Sequence, residues 1–179
     1  MNVSIVPVAE EHAESFREAL DLVARERRYI ASTTAPSLEN VRDFLRRSVA
    51  SDAAHFLALD GTRVVGGCDI LSGDRETLRH RGELGMFVVP EWRGKGIGER
   101  LLTACLAKAK TNGITRVELE VRADNEPAIR LYRRVGFQDE CVKRQGLRFD
   151  GIYYDTICMY LLTGDAVGVP SPGESPAQS

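Results

Sequence analysis

The chain has little of what would build a metal centre or a disulfide framework. Its three histidines, His12, His55 and His80, are scattered. Its four cysteines, Cys68, Cys105, Cys141 and Cys158, stand too far apart in sequence for a metal knuckle or a redox motif. No metal is expected, and the thiols read as reduced, mostly buried small hydrophobes. No apolar stretch approaches the roughly 18 residues that cross a bilayer, so no membrane partner is expected. Glu10, Glu11 and Glu14 break any signal-peptide pattern near the start, which makes the cytoplasm the expected location. A net charge of −2 supplies no excess of cations for nucleic acid. What is present suits one folded domain: 179 residues, 43% of them hydrophobic, are enough to bury a real core.

Periodicity divides the chain. Val3 to Val8 reads as a strand, and Glu10 to Arg28 as a helix with Phe16, Leu20 and Val23 on one face. Ser37 caps a second helix striped by Phe44, Leu45 and Val49. Two strands follow around Asp60-Gly61-Thr62-Arg63, a hairpin signal. Residues 72 to 80 are polar and read as a loop. Glu83 to Val89 is a strand, Ile97 to Lys110 a helix with Leu101, Leu102, Cys105 and Ala109 inward, and Arg116 to Arg122 an alternating strand. A helix from Asn125 to Arg134 precedes two last strands around Asp150-Gly151. Helices alternate with strands only in the centre, which predicts a mixed sheet with helices on both faces. The domain is expected over residues 1–162. From residue 163 the composition collapses into Gly, Pro and Ser, and that stretch, 163–179, is expected to be disordered.

Two segments carry chemistry. The first is the strand and turn Val88-Val89-Pro90-Glu91-Trp92-Arg93-Gly94-Lys95-Gly96-Ile97-Gly98. A helix start leaves amide N–H groups without partners at the positive end of the macrodipole, and glycines let an anion approach them. The amides from Gly94 through Glu99, with charge from Arg93 and Lys95, make a phosphate or pyrophosphate cradle. It is no Walker A loop, because Val89 stands where the first glycine is needed. It is no dinucleotide fingerprint either, because Glu99 or Leu101 stands where the last is needed. The second segment is Asp124-Asn125-Glu126-Pro127-Ala128-Ile129-Arg130-Leu131-Tyr132-Arg133-Arg134-Val135-Gly136-Phe137. Asp124 or Asn125 caps a helix with Pro127 in its first turn. Ala128, Leu131, Tyr132 and Val135 form its apolar stripe. Tyr132 is either a core aromatic or a general acid, since a phenol protonates a leaving thiolate only when it is placed beside it.

Arg93, Gly96 and Gly98 match Arg-x-x-Gly-x-Gly, and Asn125, Ala128, Tyr132, Gly136 and Phe137 match Asn-x-x-Ala-x-x-x-Tyr-x-x-x-Gly-Phe. In these motifs, and in the strand–turn–helix–strand–helix order joining them, the chain resembles the GCN5-related N-acetyltransferase (GNAT) family. The likeness runs from Val3 to Leu162 in outline and from Glu83 to Phe137 closely. It implies a mixed, mostly antiparallel twisted α/β sheet of about seven strands, and acetyl-CoA as co-substrate. It further implies that backbone groups of Met86, Phe87 and Val88 pair with the pantetheine arm. It implies as well that the amides of Gly94, Lys95, Gly96, Ile97, Gly98 and Glu99 hold the pyrophosphate, that Asn125 touches the cofactor arm and that Tyr132 faces the sulfur.

Attack on a thioester needs a neutral amine, so a carboxylate must take the ammonium proton. Glu83 and Glu120 are the candidates, Glu83 ahead, each with the alternative of an ordinary solvated strand residue. His80 is a weaker third. The family does not decide the acceptor. The final hairpin, with Tyr154, Asp155 and Met159, resembles bacterial members acting on free amino acids or small amines. The expected partner is such an amine, with a homodimer left open. Arg27-Arg28-Tyr29 reads as a solvated helix end, with a substrate carboxylate as the functional alternative. Protein N-terminal or lysine acetylation, and a non-catalytic acyl-CoA sensor, are the competing readings.

Overall fold

The computed structural model describes residues 3–164. The elements in chain order are β1 (Val3–Pro7), α1 (Ala13–Arg25), α2 (Leu38–Ala50), β2 (Ala54–Asp60), β3 (Arg63–Ser72) and β4 (Arg81–Val88). There follow α3 (Ile97–Thr111), β5 (Arg116–Arg122), α4 (Glu126–Val135), β6 (Gln138–Phe149) and β7 (Ile152–Leu162). The Thr163 N–H donates to the Thr115 carbonyl at 2.9 Å. The rest of the expected tail, 165–179, lies outside the described residues.

The strands form one seven-stranded sheet in the order β1-β2-β3-β4-β5-β7-β6. Every neighbouring pair is antiparallel except β4 and β5. That parallel pairing is short, running only from Arg81–Glu83 against Arg116–Glu118. Beyond it β4 stays on β3, and β5 stays on β7 through Arg122. The sheet therefore opens at its centre, and the facing edges of β4 from Leu84 and of β5 from Leu119 have no strand between them.

Helices cover both faces. On one, Phe16 of α1 packs edge-on against Phe87 of β4 with ring centroids 5.4 Å apart. On the other, α3 presses so closely on β3 that a Cβ at Gly66 would lie 3.2 Å from Leu101 Cδ1. Leu101, Leu102, Cys105 and Ala109 are fully buried there. Each leucine is worth roughly 1.5–3 kcal/mol relative to exposure. Residues 150 and 151 both take left-handed backbone (φ 50° and 84°), the conformation of a tight two-residue hairpin.

Two boundaries and one burial pattern near the site differ from the sequence reading. The first helix stops at Arg25 rather than Arg28, and Arg27 turns left-handed (φ 50°) to redirect the chain. Strand β4 starts at Arg81, where pairing with β5 begins. On α4 the deeply buried residues are Ile129 and Tyr132, while Ala128, Leu131 and Val135 are half-buried. The helix sits at the opening of the sheet, so part of its apolar stripe faces that opening instead of the core.

Candidate active site

A cleft of about 1080 Å³ occupies the gap between β4 and β5. Its floor is β4 from Glu83 to Val88, unpaired on that edge from Leu84, and β5 from Leu119 to Arg122. The turn from Arg93 to Glu99 and helix α4 close one side, and residues 29–31 with Gly146 and Leu147 close the other. Val88 lies five positions beyond Glu83. At a strand's rise of about 3.3 Å per residue, the acid and the glycine turn lie at opposite ends of a run of roughly 16 Å.

The three turn glycines do different work. Gly94 and Gly96 have φ of 72° and 76°, and a Cβ on either would meet nothing within 4 Å. They supply the left-handed turn and leave the space in front of it open. Gly96 is the N-cap of α3 and no side chain caps that end, so the first-turn amides point out at the positive pole of the helix. Gly98 has ordinary helical backbone and is small for packing instead: a Cβ there would lie 3.2 Å from Leu131 Cδ2 on α4. Ile97 is buried beneath the turn. Glu99 is held by Arg134 at 2.9 Å.

Arg93 acts first as a brace. Its Nε donates to the Val88 carbonyl at 2.9 Å, one terminal nitrogen donates to Glu26 at 2.8 Å, and the guanidinium lies 4.1 Å over the Tyr29 ring. Burial pulls the Arg93 pKa down, but the bonds to Glu26 outweigh it and hold the group firmly charged. Lys95 does not line the cleft; its Nζ sits 4.8 Å over the Trp92 ring. Met86, Phe87 and Val88 lie beyond the last β5 partner. Because the Phe87 ring turns to α1, this residue offers the cleft mainly its backbone.

Asn125 caps α4 through its side-chain oxygen, which accepts from the Ala128 N–H at 3.4 Å; the residue is buried and lines the cleft. Tyr132 is two turns further on, 7% exposed, its ring 5.7 Å from that of Phe137. Its hydroxyl makes no hydrogen bond among the described residues and is not sealed in the core, so it opens on the cleft. Burial pushes the phenol above its ordinary range, with a smaller contribution from Cys68. It is therefore protonated throughout the neutral range.

The two glutamates line the cleft in different states. Burial alone would push the Glu120 carboxyl up. Hydrogen bonds from Lys143 and Thr156, both 2.5 Å, outweigh this and hold it below the usual range. Glu83 is exposed and has no ion pair or hydrogen bond among the described residues. His80 is exposed before β4 and does not line the cleft; its carbonyl accepts from the Thr115 and Arg116 N–H groups.

The far wall was not legible beforehand. Tyr29, Ile30 and Ala31 line the cleft together with Gly146 and Leu147, and Arg27 next to them forms an ion pair with Asp150 at the β6–β7 tip. Arg122, nearly buried, strengthens this corner. It donates to the Arg27 carbonyl at 3.1 Å and to Asp124, and stacks 3.7 Å from the Tyr154 ring. Arg27 is thus engaged in holding the wall. Contacts more than a hundred residues apart leave no local sequence signal.

With this geometry in view, comparison with known proteins is direct. The model of the acetyltransferase (GNAT) family matches residues 14–137. The chain belongs to that family. A mycothiol acetyltransferase of Actinosynnema mirum is 42% identical over 77 residues, 41% of this chain and 26% of that protein. The N-alpha-acetyltransferase RimI of Mycobacterium tuberculosis is 47% identical over 64 residues, 36% of this chain and 39% of that protein. The chain spans about a quarter to a half of the length of the curated relatives it matches. A phosphinothricin acetyltransferase from Sinorhizobium meliloti, solved in complex with acetyl-CoA, superimposes with a TM-score of 0.85. Its identity is 22%, covering 98% of this chain and 97% of that one. A GNAT-family acetyltransferase from Streptococcus pneumoniae also gives 0.85, at 24% identity, covering 90% and 99%. At these identities the structures speak for the fold.

Proposed function

We propose that the protein transfers the acetyl group of acetyl-CoA to the primary amine of a small molecule, by direct attack in a ternary complex. The observation that carries this reading is the cleft itself. An anion cradle lies at one end of the open β4 edge, an unpaired carboxylate at the other, and a phenol hydroxyl faces the same space.

Acetyl-CoA supplies an acetyl group activated as a thioester. The Gly94 and Gly96 turn and the uncapped start of α3 suit its pyrophosphate, because they offer amides and room without a Cβ. The unpaired edge at Met86–Val88 suits its extended amide arm as an added strand. The Asn125 side chain lies in reach of that arm. Glu83 takes the proton of the acceptor ammonium, whose pKa near 10 keeps it charged at neutral pH. Glu83 fits this role better than Glu120, whose oxygens already accept from Lys143 and Thr156. Tyr132 gives its proton to the departing sulfur.

The wall closed by Arg27 and Asp150 supports a small acceptor over a peptide lying across the sheet. Each arginine among the described residues lining the cleft already meets a carboxylate: Arg93 with Glu26, Arg122 with Asp124, Arg134 with Glu99. That favours amines lacking a carboxylate. The test is acetyl-CoA turnover, read as free thiol, over monoamines, polyamines, aminoglycosides, amino acids and peptides with free N-termini. Turnover highest with small amines supports the reading, highest with peptides refutes the acceptor class, and none with any acceptor refutes the activity.

A further inference from the structure

The sheet carries a second carboxyl behind Glu83 that the chemistry above does not use. Asp69 of β3 stands directly opposite Gly85 of β4, and Leu71 stands opposite Glu83. Asp69 and Glu83 are therefore diagonal neighbours on one face, a separation of roughly 7–8 Å in such sheets, within reach of one bridging water. Gly85 is small at the point where Asp69 needs room: a Cβ there would lie 3.1 Å from Asp69 Oδ1.

Asp69 has no ion pair and no hydrogen bond among the described residues, although it sits mostly enclosed by protein. A carboxyl in that position ordinarily has a cation or several N–H donors. The groups facing it supply neither. Across β2 the partner in register is His55. Burial brings this imidazole down to about 4, so it is neutral, with Nδ1 3.1 Å from Ser48 Oγ and Nε2 without a partner. From α1 the buried residues turned inward are Ala13, Phe16, Ala19, Val23 and Ala24. On the far side of Glu83, Glu118 of β5 is neutralised by Arg81 and Arg116. The charge that acts on Asp69 is Glu83. Burial first, and that charge second, push the Asp69 carboxyl up to about 7.

We propose that Asp69 is a positioning and proton-storing residue that works through Glu83, the two carboxyls forming a relay that carries the acceptor's proton out of the cleft. This rests on the acetyl-transfer reading above. The acceptor nitrogen sheds two protons as its bond to the acetyl carbon forms and the carbon–sulfur bond breaks. Glu83 takes the first and passes it to Asp69, from which it leaves to water. Tyr132 protonates the sulfur, and the second proton restores Tyr132. A second carboxyl diagonal to Glu83 on the same face gives the first proton another path.

The test has two arms on Asp69→Asn and Glu83→Gln. In the first, the side-chain carboxyl of Asp69 is titrated by carbon-13 NMR in the free protein. Asp69 should titrate near neutrality, and its midpoint should fall in Glu83→Gln. A midpoint near the ordinary aspartate value, or one unmoved by Glu83→Gln, overturns the pairing whatever the enzyme does. In the second, kcat/KM is followed against pH with the best amine of the panel. Asp69→Asn should lower kcat by roughly tenfold or more, the low side of acid–base contributions. It should also shift the acid limb and leave the KM for acetyl-CoA unchanged. A variant whose profile superimposes on wild type, with only its melting temperature altered, marks Asp69 as structural and overturns the relay alone. A wild type that acetylates no amine overturns the activity and the relay together.

Discussion

Tyr132→Phe isolates a single oxygen. The ring, its contact with Phe137 and its burial are retained, and only the hydroxyl at the cleft is lost. That hydroxyl has no protein partner among the described residues, so its removal breaks no internal hydrogen bond. The usual loss of about 1 kcal/mol on deleting a bonded hydroxyl does not apply. The melting temperature should stay level or rise slightly, because a partly desolvated polar group has been removed. Catalysis should respond oppositely. General acids contribute about 10²–10⁴-fold, or roughly 2.7–5.5 kcal/mol of transition-state stabilisation, and kcat should fall by that factor. Affinity for CoA, measured by calorimetry, should change less than threefold, since the cradle lies on the α3 turn. The raised phenol pKa adds a further expectation. Tyr132 stays protonated across pH 6–9, so the wild-type alkaline limb in that range must not vanish in the variant. A kcat within threefold of wild type, with stability lost instead, would make Tyr132 a core aromatic and refute the assignment.

Other perturbations separate the remaining parts of the site. Gly96→Val places a branched side chain at φ 76°, a strain of roughly 1–2 kcal/mol, and projects it into the anion cradle. CoA affinity by calorimetry should drop tenfold or more, about 1.4 kcal/mol. Gly98→Ala meets the flexible ends of Leu131 and Met86 and gains helix propensity, so stability should stay within about 1 kcal/mol. His55 binds a proton near 4 when folded and near 6.5 when unfolded, so stability falls as pH drops through that interval, by up to roughly 3 kcal/mol. Asp69 opposes it: folded near 7 and unfolded near 3.8, it costs stability as pH rises, up to roughly 4 kcal/mol. Denaturant titrations at pH 4, 6 and 8 should show a shallow net slope for wild type. His55→Leu should leave the falling Asp69 slope exposed and Asp69→Asn the rising His55 slope. Parallel curves for all three proteins would refute both assignments. Arg27→Ala should cost no more than about 1 kcal/mol, as exposed pairs do, yet raise the acceptor KM while the acetyl-CoA KM holds.

Local rules carried much of this structure. Ser37, Asn125 and Gly136 mark helix ends because capping depends on a few adjacent atoms, and α2 and α4 begin and stop where those residues stand. Strict alternation from Arg116 to Arg122 specifies β5 for the same reason: one face is buried and the other is not. The Gly94–Gly96 turn and the Asn125–Tyr132 helix were legible because each is a contiguous motif whose backbone geometry its own residues dictate. The tertiary structure alone decided that β4 and β5 part after Glu83, since strand pairing follows from which partner each edge finds. It decided that Glu120 is occupied by Lys143 and Thr156 while Glu83 is not, a distinction invisible in two similar strand glutamates. It recruited Tyr29, Leu147 and the Arg27–Asp150 brace from opposite ends of the chain. Asp69 shows the limit most clearly. An acid within Val64–Leu71 is a visible break in an apolar strand, but its neighbours Glu83, Gly85 and His55 come from two other strands, and only their register sets its charge.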